Sequence, residues 1–383
     1  MLKLLHCADA HLDTPLSLPD LAKADVRRAE LRGAFASLTL YARKNGVRLV
    51  LFSGDLFNNA FLTRDTLQLL QKEFAAAPDC HFVIAPGSHD CYSQDSVYAR
   101  VRFPKNVHVF RSEALSCFRL DDIGVDVWGF ANTESSVNRF CPLEGFRVQD
   151  KSRLNLLCGY AHLTDEAAFA AGGSENDTIP CVTKEQLARA GFDYAALGYE
   201  HNSTGIRRIG KTFFGYAGCL EGRSFDEPGY KGAFFGTLSE KEDGTPDFAV
   251  RRLRFSRRHY ETASADVTGC RTPAAAAARI LEQMKDALPD KDTALHLTLT
   301  GTVSAELLLT RETLQPYLPP VFLLEVCDGT ERENDLDRLE SDPTLRGAYY
   351  RELKPLLESS SENERETAIL ALRLGLQAMH PGE

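Results

Sequence analysis

The sequence predicts an α/β fold, because short β-rich runs alternate with helix-like segments through the first part of the chain. Lys3–Cys7, Arg48–Ser53 and His81–Ala85 are the predicted strands. Leu21–Lys44 and Thr63–Ala76 lie between them and have helical character. Asp or His residues follow each strand at once. In open α/β sheets, functional sites form in the loops beyond the carboxyl ends of the strands.

The same alternation continues and completes a first predicted domain of residues 1–245. Further apolar runs of strand length are Asn155–Gly159, Tyr194–Gly198, Ile206–Ile209, Thr212–Tyr216 and Ala233–Leu238. Gly210-Lys211 separates two of these runs and predicts a β-hairpin. His162 and His201 follow two others, so the pattern of polar residues after strands is repeated.

Residues 246–332 are predicted to form a second, smaller α/β domain. Its elements alternate strand, helix, strand, helix, strand over Phe248–Phe255, Pro273–Leu288, Ala294–Thr300, Ala305–Leu314 and Val321–Val326. Thr272-Pro273 is a suitable helix start. Residues 333–383 are polar and predicted helical, and Ser361-Glu362-Asn363-Glu364 matches a capping box.

Composition restricts the function classes. The chain has 383 residues, of which 43% are hydrophobic and 26% charged, and this excludes a wholly disordered protein. No apolar run approaches the roughly 20 residues of a membrane helix, and the amino terminus does not resemble a signal peptide, so we expect a cytoplasmic protein without membrane contact. Ten cysteines without a CxxC pair indicate reduced thiols. The net charge of −10 argues against general nucleic-acid affinity but permits a local basic groove.

A series of carboxylate and histidine residues at strand ends carries the chemistry. The segments are Asp9-Ala10-His11, Gly54-Asp55, Gly87-Ser88-His89-Asp90, Gly159-Tyr160-Ala161-His162 and Gly198-Tyr199-Glu200-His201. Mixed Asp and His ligands suit Mn, Zn or Fe, and a carboxylate can bridge two ions. Two ions roughly 3.5–4 Å apart can clamp a phosphate and activate a water. The series therefore predicts a metal site rather than a set of structural histidines.

These motifs (DxH, GDLF, G-[NS]-HD, GxxH and ALGxxH) resemble those of the calcineurin-like metallophosphoesterases. The fuller segments HCADAHLD, LFSGDLF, APGSHD, DYAALGYEH and YAGCLEGRSFDE are most similar to the SbcD-type DNA repair exonuclease branch. The resemblance implies a four-layer α/β/β/α sandwich, a smaller α/β capping domain that orients DNA, and a helical C-terminal tail. It also implies two Mn ions, cleavage of phosphodiester bonds in DNA, and an SbcC-type coiled-coil ATPase as partner.

Matched motif by motif, the resemblance assigns the first metal to Asp9, His11, Asp55 and His201. Asp55 would bridge to a second ion, which should also meet an Asn and two His residues. Of those three, only His162 is present in this chain. His89 matches the family's catalytic histidine, which stabilises the charge of the transition state or protonates the leaving oxygen.

The chain departs from the family pattern at the second ion, where Ser88 and Tyr199 replace Asn and His. Serine is a weak neutral ligand, and tyrosine binds metal only as phenolate. Glu200 is adjacent, but neighbouring side chains in an extended loop point in opposite directions. Three outcomes follow: substrate and water complete a weak second site, the protein works with one metal, or it is a catalytically reduced relative.

Two surface features bear on partners. Five arginines within eight positions, Arg251, Arg252, Arg254, Arg257 and Arg258, form either a DNA-contacting rim or a solvated strand. The tail carries apolar residues at helical spacing: Ile369, Leu370, Leu372, Leu374, Leu376 and Met379. This face either packs on the chain's own domain or docks on the coiled coil of a partner.

The sequence thus leads to the hypothesis of a Mn-dependent phosphodiesterase that acts on DNA, with a degraded second metal site. One alternative is a phosphoesterase acting on nucleotides or small phosphodiesters. Another is a non-catalytic subunit that binds DNA ends and holds one metal. Whether the chain forms a homodimer is left open at this point.

Overall fold

The computed structural model describes residues 1–16, 18, 20–134, 140–165, 179–240, 246–304, 306–332 and 336–379. The chain divides into two compact units, Met1–Glu261 and Thr262–Glu383. Within the described ranges, no helix has the length and apolar character needed to cross a membrane.

The strands, numbered in chain order, are β1 (Leu2–Cys7), β2 (Leu49–Ser53), β3 (His81–Ala85), β4 (Val107–Val109), β5 (Ser116–Leu120), β6 (Val125–Gly129), β7 (Leu154–Tyr160), β8 (His162–Thr164), β9 (Cys181–Thr183), β10 (Tyr194–Gly198), β11 (Arg207–Ile209), β12 (Thr212–Tyr216), β13 (Gly232–Glu240), β14 (Pro246–Arg254), β15 (His259–Asp266), β16 (Thr293–Thr300), β17 (Thr302–Val303), β18 (Leu323–Asp328) and β19 (Glu331–Arg332). The helices are α1 (Leu21–Lys44), α2 (Arg64–Ala75), α3 (Val97–Arg100), α4 (Lys184–Ala190), α5 (Pro273–Gln283), α6 (Arg311–Leu314), α7 (Leu336–Ser341), α8 (Leu345–Leu357) and α9 (Glu362–Ala378).

The first unit contains two six-stranded sheets. The first has the order β14-β13-β1-β2-β3-β4, in which β1 to β4 are parallel and β13 is antiparallel to both of its neighbours, β1 and β14. The second has the order β11-β12-β10-β7-β6-β5, with β12, β10, β7 and β6 parallel. The predicted mixed α/β class is confirmed.

Alternating side chains of the parallel strands enter different cores, as the two faces of a strand require. Leu4 and Leu51 belong to a buried cluster that also contains Val127 and Leu156 of the second sheet. The neighbouring residues of β1 and β2 point the other way and pack with α1 and α2 in a second cluster. A third cluster joins β7, β10 and β12 to α4. The site therefore stands on strands that are buried on both faces.

Local signals explain where the helices begin. The Asp20 side chain accepts the backbone N–H groups of Ala22 and Lys23 and starts α1, which spans the predicted residues. Thr63 caps α2 in the same manner. The predicted helix Ala305–Leu314 is helical only from Arg311, because Thr310 caps the chain there, and Ala305 lies outside the described residues.

The second unit contains a three-stranded sheet of order β15-β16-β18, in which β16 and β18 are parallel. Its core includes Ile280 of α5 and Leu295 and Leu297 of β16. Helices α7 to α9 enclose a smaller cluster. Leu372 and Leu376 of the apolar tail face are buried in that cluster, so this part of the face packs within its own unit.

The first boundary differs from the predicted one at residue 245. The run predicted to open the second domain is β14, which pairs with β13 along its whole length, from Gly232↔Arg254 to Glu240↔Pro246. An edge strand that belongs to the preceding sheet shows the same apolar pattern as the first strand of a new domain. Residues 246–261 therefore lie in the first unit. The division of Thr262–Glu383 into a capping domain and a tail stays a prediction.

Candidate metal centre

The loops that follow β1, β2 and β10 bring the predicted ligands together. Asp9 and His11 come after β1, Asp55 after β2, and His201 after β10. Two backbone hydrogen bonds join the first two loops: the Asp9 N–H donates to the Gly54 carbonyl at 3.0 Å, and the His11 N–H donates to the Asp55 carbonyl at 2.8 Å. The spacing between these ligands is thus fixed by main-chain pairing rather than by side chains alone.

The backbone is strained at three of the predicted ligands and at Tyr199. Asp9, His11 and Asp55 have φ angles of 47°, 43° and 49°, and Tyr199 has a φ of 121°. Such conformations cost a non-glycine residue on the order of 1–3 kcal/mol and persist where the surrounding structure enforces them, often at functional sites. These backbone conformations therefore reduce the stability of the fold, and they determine the direction in which the side chains point.

Asp9, Asp55 and His201 cluster around His11. His11 Nε2 lies 3.3 Å from His201 Nε2 and 3.7 Å from Asp55 Oδ2. His201 Nε2 lies 3.8 Å from Asp9 Oδ1, a buried oxygen that has no hydrogen-bond partner within the described parts of the chain. Unpaired buried oxygens are costly, and a cation is the partner that carboxylate and imidazole donors share. These residues fit a divalent metal, and two overlapping ligand groups, one of them including Asp9 and His201, have metal-binding spacing.

Electrostatics also favour a cation here. Burial, together with the negative charge of Asp55, raises the pKa of the Asp9 carboxyl well above its usual value. Burial raises the pKa of Asp55 to about 6, although the His89 amide opposes this. Burial, helped by the positive charge of Arg223, keeps the pKa of His11 well below its ordinary value. A cation would stabilise both carboxylates and bind the neutral imidazole, so it would relieve these penalties.

Asp90 holds the loop that carries Asp55. Its buried carboxylate accepts the N–H groups of Gly87 at 2.6 Å, Leu56 at 2.9 Å and Asp55 at 3.2 Å. The Tyr98 hydroxyl donates to the same carboxylate at 2.7 Å. In the sequence, Asp90 stands next to His89 but was assigned no role. A carboxylate that accepts hydrogen bonds from backbone amides has no sequence pattern by which it could be recognised.

Glu227 and Arg223 support His201 and were also missed. Glu227 Oε1 lies 2.8 Å from His201 Nδ1, so a ring N–H there would leave Nε2 free for metal. Arg223 donates to Glu227 Oε1 at 2.6 Å, and its side chain is 15% exposed. Both residues lie in the segment YAGCLEGRSFDE, which carried the resemblance and was the available signal.

The residues expected around a second ion contact hydroxyl groups and aromatic rings instead of forming a cluster of metal-ligating side chains. Ser88 Oγ lies 3.5 Å from Asp55 Oδ2 and 3.1 Å from the Tyr160 hydroxyl. The His162 ring packs edge-on against Tyr199, with 5.5 Å between ring centroids. Within the described residues, His162 belongs to no group of three metal-ligating side chains. Its predicted role as a ligand stays a prediction.

His89 stands at the solvent side of the convergent residues. Its ring packs edge-on against His11 with 4.9 Å between centroids, and the residue is exposed. Its backbone N–H donates to Asp55 Oδ1 at 2.7 Å. Burial of part of the ring lowers its pKa, and the charge of Arg223 adds to this effect. The imidazole is placed where a proton could be exchanged with a group bound beside His11.

The five arginines of the predicted DNA rim lie on β14 and in the turn after it: Arg251, Arg252, Arg254, Arg257 and Arg258. Arg258 forms an ion pair with Glu30 at 2.8 Å, and its side chain is only 13% exposed. The Arg254 guanidinium lies over the Tyr230 ring, 3.3 Å from the centroid. Arg252 and Arg254 are both exposed and lie two positions apart, so they share one face of the strand.

Two sequence comparisons with known proteins agree with this chemistry. Residues 2–179 match the family model described as calcineurin-like phosphoesterase. The uncharacterized metallophosphoesterase YhaO of Bacillus subtilis (strain 168) is 26% identical, over 91% of this chain and 86% of that protein. The solved structure described as GAP50, the anchor in the inner membrane complex of Plasmodium, gives a TM-score of 0.35 at 11% identity, over 66% of this chain and 88% of that one. The chain thus contains a calcineurin-like metallophosphoesterase domain and has a distant metallophosphoesterase homologue.

Proposed function

We propose that this protein is a Mn-dependent phosphodiesterase that acts on DNA as an SbcD-like exonuclease subunit. The observation that carries the proposal is the cluster of Asp9, Asp55 and His201 around His11, in which the buried oxygen Asp9 Oδ1 has no hydrogen-bond partner within the described residues. A divalent ion held there supplies positive charge to a phosphate oxygen and lowers the pKa of a water molecule. Oxygen and imidazole ligands together suit Mn²⁺, with Zn or Fe as alternatives.

The residues around the ligands would orient a phosphate and handle a proton. His89 is exposed beside His11 and can donate a proton to the leaving oxygen or stabilise its charge. Arg223 is held by Glu227 and lies close enough to lower the pKa of both His11 and His89. Its fixed guanidinium would attract the anionic group that reaches the site.

DNA as substrate is supported by the motif resemblance and by the position of β14. The strand register aligns His6 of β1 with Phe234 of β13 and Phe234 with Arg252 of β14. Arg252 and Arg254 therefore lie at the same end of the sheet as the carboxyl end of β1, which leads into Asp9. Exposed arginines beside a phosphoesterase site can contact the backbone of a bound strand.

Two further proposals rest on the resemblance to the SbcD-type branch. The protein would act in the cytoplasm with an SbcC-type coiled-coil ATPase. Ile369, Leu370 and Leu374 of α9 are about half exposed, at 55%, 48% and 54%, and they are the apolar residues available for such a partner. Leu372 and Leu376 are buried in their own unit and are not available.

The test is hydrolysis by the full chain of end-labelled duplex DNA and of bis(4-nitrophenyl) phosphate, with Mn²⁺, Mg²⁺ or Zn²⁺. We expect Mn²⁺-dependent shortening of DNA that Asp55→Asn abolishes. Asp126→Asn is the matched control, because Asp126 is also a buried acid of the first unit but pairs with Arg153. Turnover of the small diester without DNA shortening would support the small-substrate alternative and refute the exonuclease.

A second candidate is a subunit that binds DNA ends without cutting them. Ser88 and Tyr199 favour it, because they replace two ligands of the second ion. Under this alternative the folded protein would bind duplex ends, and no divalent metal would yield hydrolysis of DNA or of the small diester. Mn²⁺-dependent hydrolysis that is lost in Asp55→Asn would exclude it.

A further inference from the structure

A buried tyrosine stands beside the carboxylate that would have to bridge two ions. Tyr160 ends β7 and is 4% exposed. Its ring fills the space beside Gly54, where an added Cβ would lie 2.2 Å from ring atom Cδ2. Gly54 has a φ of +100°, so both its conformation and its missing side chain make room for the ring. Tyr160 is thereby fixed against the loop that carries Asp55.

The Tyr160 hydroxyl lies close enough to the Asp55 carboxylate to lower the pKa of Asp55, against the larger effect of burial. Ser88 Oγ lies 3.1 Å from the same hydroxyl and 3.5 Å from Asp55 Oδ2. The other carboxylate oxygen, Oδ1, accepts the His89 N–H at 2.7 Å. We call Ser88 and Tyr160 the hydroxyl pair. On the side of Asp55 that faces this pair, the Ser88 hydroxyl contacts the carboxylate and is itself hydrogen-bonded to the Tyr160 hydroxyl.

The other two side chains expected at a second ion, Tyr199 and His162, pack against each other. Tyr160 packs edge-on against Tyr199, with 5.8 Å between centroids, and Tyr199 packs in turn against His162. These contacts form a row of rings that begins beside Asp55 and ends at His162. Within the described residues, the second group of side chains close enough to share a metal ion consists of His11, Asp55 and His89. His11 and Asp55 are already assigned to the first ion, so this group adds only the exposed His89.

We infer that the metal centre is mononuclear, with the hydroxyl pair of Ser88 and Tyr160 in the place of a second ion beside Asp55. The inference rests on the proposed function for the identity of the first site. Two neutral hydroxyl groups replace a divalent cation, so Asp55 is a ligand of one ion rather than a bridge. The charge that a second ion would bring to a phosphate then has to come from protein groups, and Arg223, which contacts His201 at 3.0 Å, is a candidate.

The direct test is the number of Mn ions per full-length chain. Elemental analysis after Mn²⁺ loading and desalting should give about one ion, whereas a dinuclear centre gives about two. The electron paramagnetic resonance spectrum should be that of isolated Mn²⁺, without features of exchange coupling. Two ions per chain, or a coupled spectrum, would overturn the inference.

Variants test whether the hydroxyl pair is the reason that the chain binds one ion instead of two. Ser88→Asn with Tyr199→His restores the family's ligand types, and we expect it to stay at one ion while Tyr160 is intact. Adding Tyr160→Phe should raise the stoichiometry to two and introduce the coupled spectrum. Tyr194→Phe is the matched control, because it removes an equally buried hydroxyl, bonded to His6, and should leave the count at one. Two ions in the double variant would refute the role of Tyr160.

The mononuclear centre and the proposed phosphodiesterase activity can be refuted independently of each other. One ion without hydrolysis of any diester would refute the proposed phosphodiesterase and leave the mononuclear centre standing. Two ions with Mn²⁺-dependent hydrolysis would refute the mononuclear centre and leave the phosphodiesterase standing. Thermal unfolding of each variant shows whether a changed count comes from a folded protein, and the wild-type count decides the inference without any variant.

Discussion

At the scale of single residues, the candidate metal ligands could be predicted from the sequence, whereas the residues that support them could not. Asp9, His11, Asp55 and His201 follow strand ends, and their residue types are those that metals select. Asp90 accepts hydrogen bonds from backbone amides, and Glu227 contacts the His201 nitrogen that faces away from the candidate metal position. Neither role produces a recognisable motif in the sequence. Such supports are visible only when the hydrogen bonds are known.

Removing the charge of Glu227 should weaken metal binding. Glu227→Gln loses the carboxylate that orients His201, and the loss of such a partner typically costs 10–100-fold, roughly, in metal affinity. Titration calorimetry with Mn²⁺ measures this. Glu221→Gln is the control, because Glu221 is an equally buried acid of the same segment that pairs with Arg27. An equal loss of affinity in both variants would contradict the role of Glu227.

His6 should make stability fall at acid pH. It is buried between the Ser53 and Tyr194 hydroxyls, and burial lowers its pKa to about 3. The unfolded chain takes up a proton near its ordinary pKa while the folded chain does not. Stability is therefore lost as pH falls from about 6.5 toward 3, by about 1.4 kcal/mol per pH unit.

Denaturant unfolding of the metal-free chain at several pH values checks this prediction. His6→Gln keeps a polar side chain at the same place but removes the titrating group. Its unfolding free energy should fall less steeply below pH 6.5 than that of the wild type. Identical slopes for the two chains would show that His6 is not responsible.

At the scale of elements, most strands and helices of the first unit follow from local pattern. The run Leu21–Lys44 is a helix over its whole predicted length, and Tyr194–Gly198 is a strand with the predicted bounds. The run Phe248–Phe255 was correctly predicted as a strand, but it was expected to open a second domain, whereas β14 pairs with β13 of the first sheet. Its membership is fixed by hydrogen bonds to β13, and pairing partners cannot be read from the local pattern of one strand.

The approach of β10 to β2 depends on Gly198. A Cβ added there would lie 1.6 Å from the Ser53 carbonyl oxygen, so the two strands cannot keep their separation. Gly198→Ala should lower the free energy of unfolding by about 1–3 kcal/mol or more, as overpacking does. Gly33→Ala in α1 is the control, since nothing lies within 4 Å of its added Cβ. Chemical denaturation that ranks the two variants equally would contradict this account.

At the scale of the whole molecule, net charge and local charge have opposite signs. The chain carries −10, so it has no general attraction for DNA. Arg252 and Arg254 nevertheless lie exposed at the site end of the first sheet. Affinity for DNA would then depend on a few phosphate contacts, and such contacts are sensitive to salt.

Replacing Arg252 and Arg254 by alanine should weaken DNA binding and reduce its salt dependence. Two lost phosphate contacts lower the slope of log affinity against log salt by about 2. Fluorescence anisotropy with an end-labelled duplex at several salt concentrations measures the slope. Arg119→Ala, a 59% exposed arginine on β5 of the other sheet, should leave it unchanged. An unchanged slope in the double variant would remove these arginines from the DNA surface.

The central claim is that Asp9, His11, Asp55 and His201 hold a catalytic metal ion, and its location tests this most directly. Anomalous diffraction from crystals of the full chain grown with Mn²⁺ would show the ion's position. We expect one peak at a coordination distance of about 2.0–2.2 Å from Asp9 Oδ1, His11 Nε2, Asp55 Oδ2 and His201 Nε2. No peak among these four residues, or a single peak at His162 instead, would contradict the account.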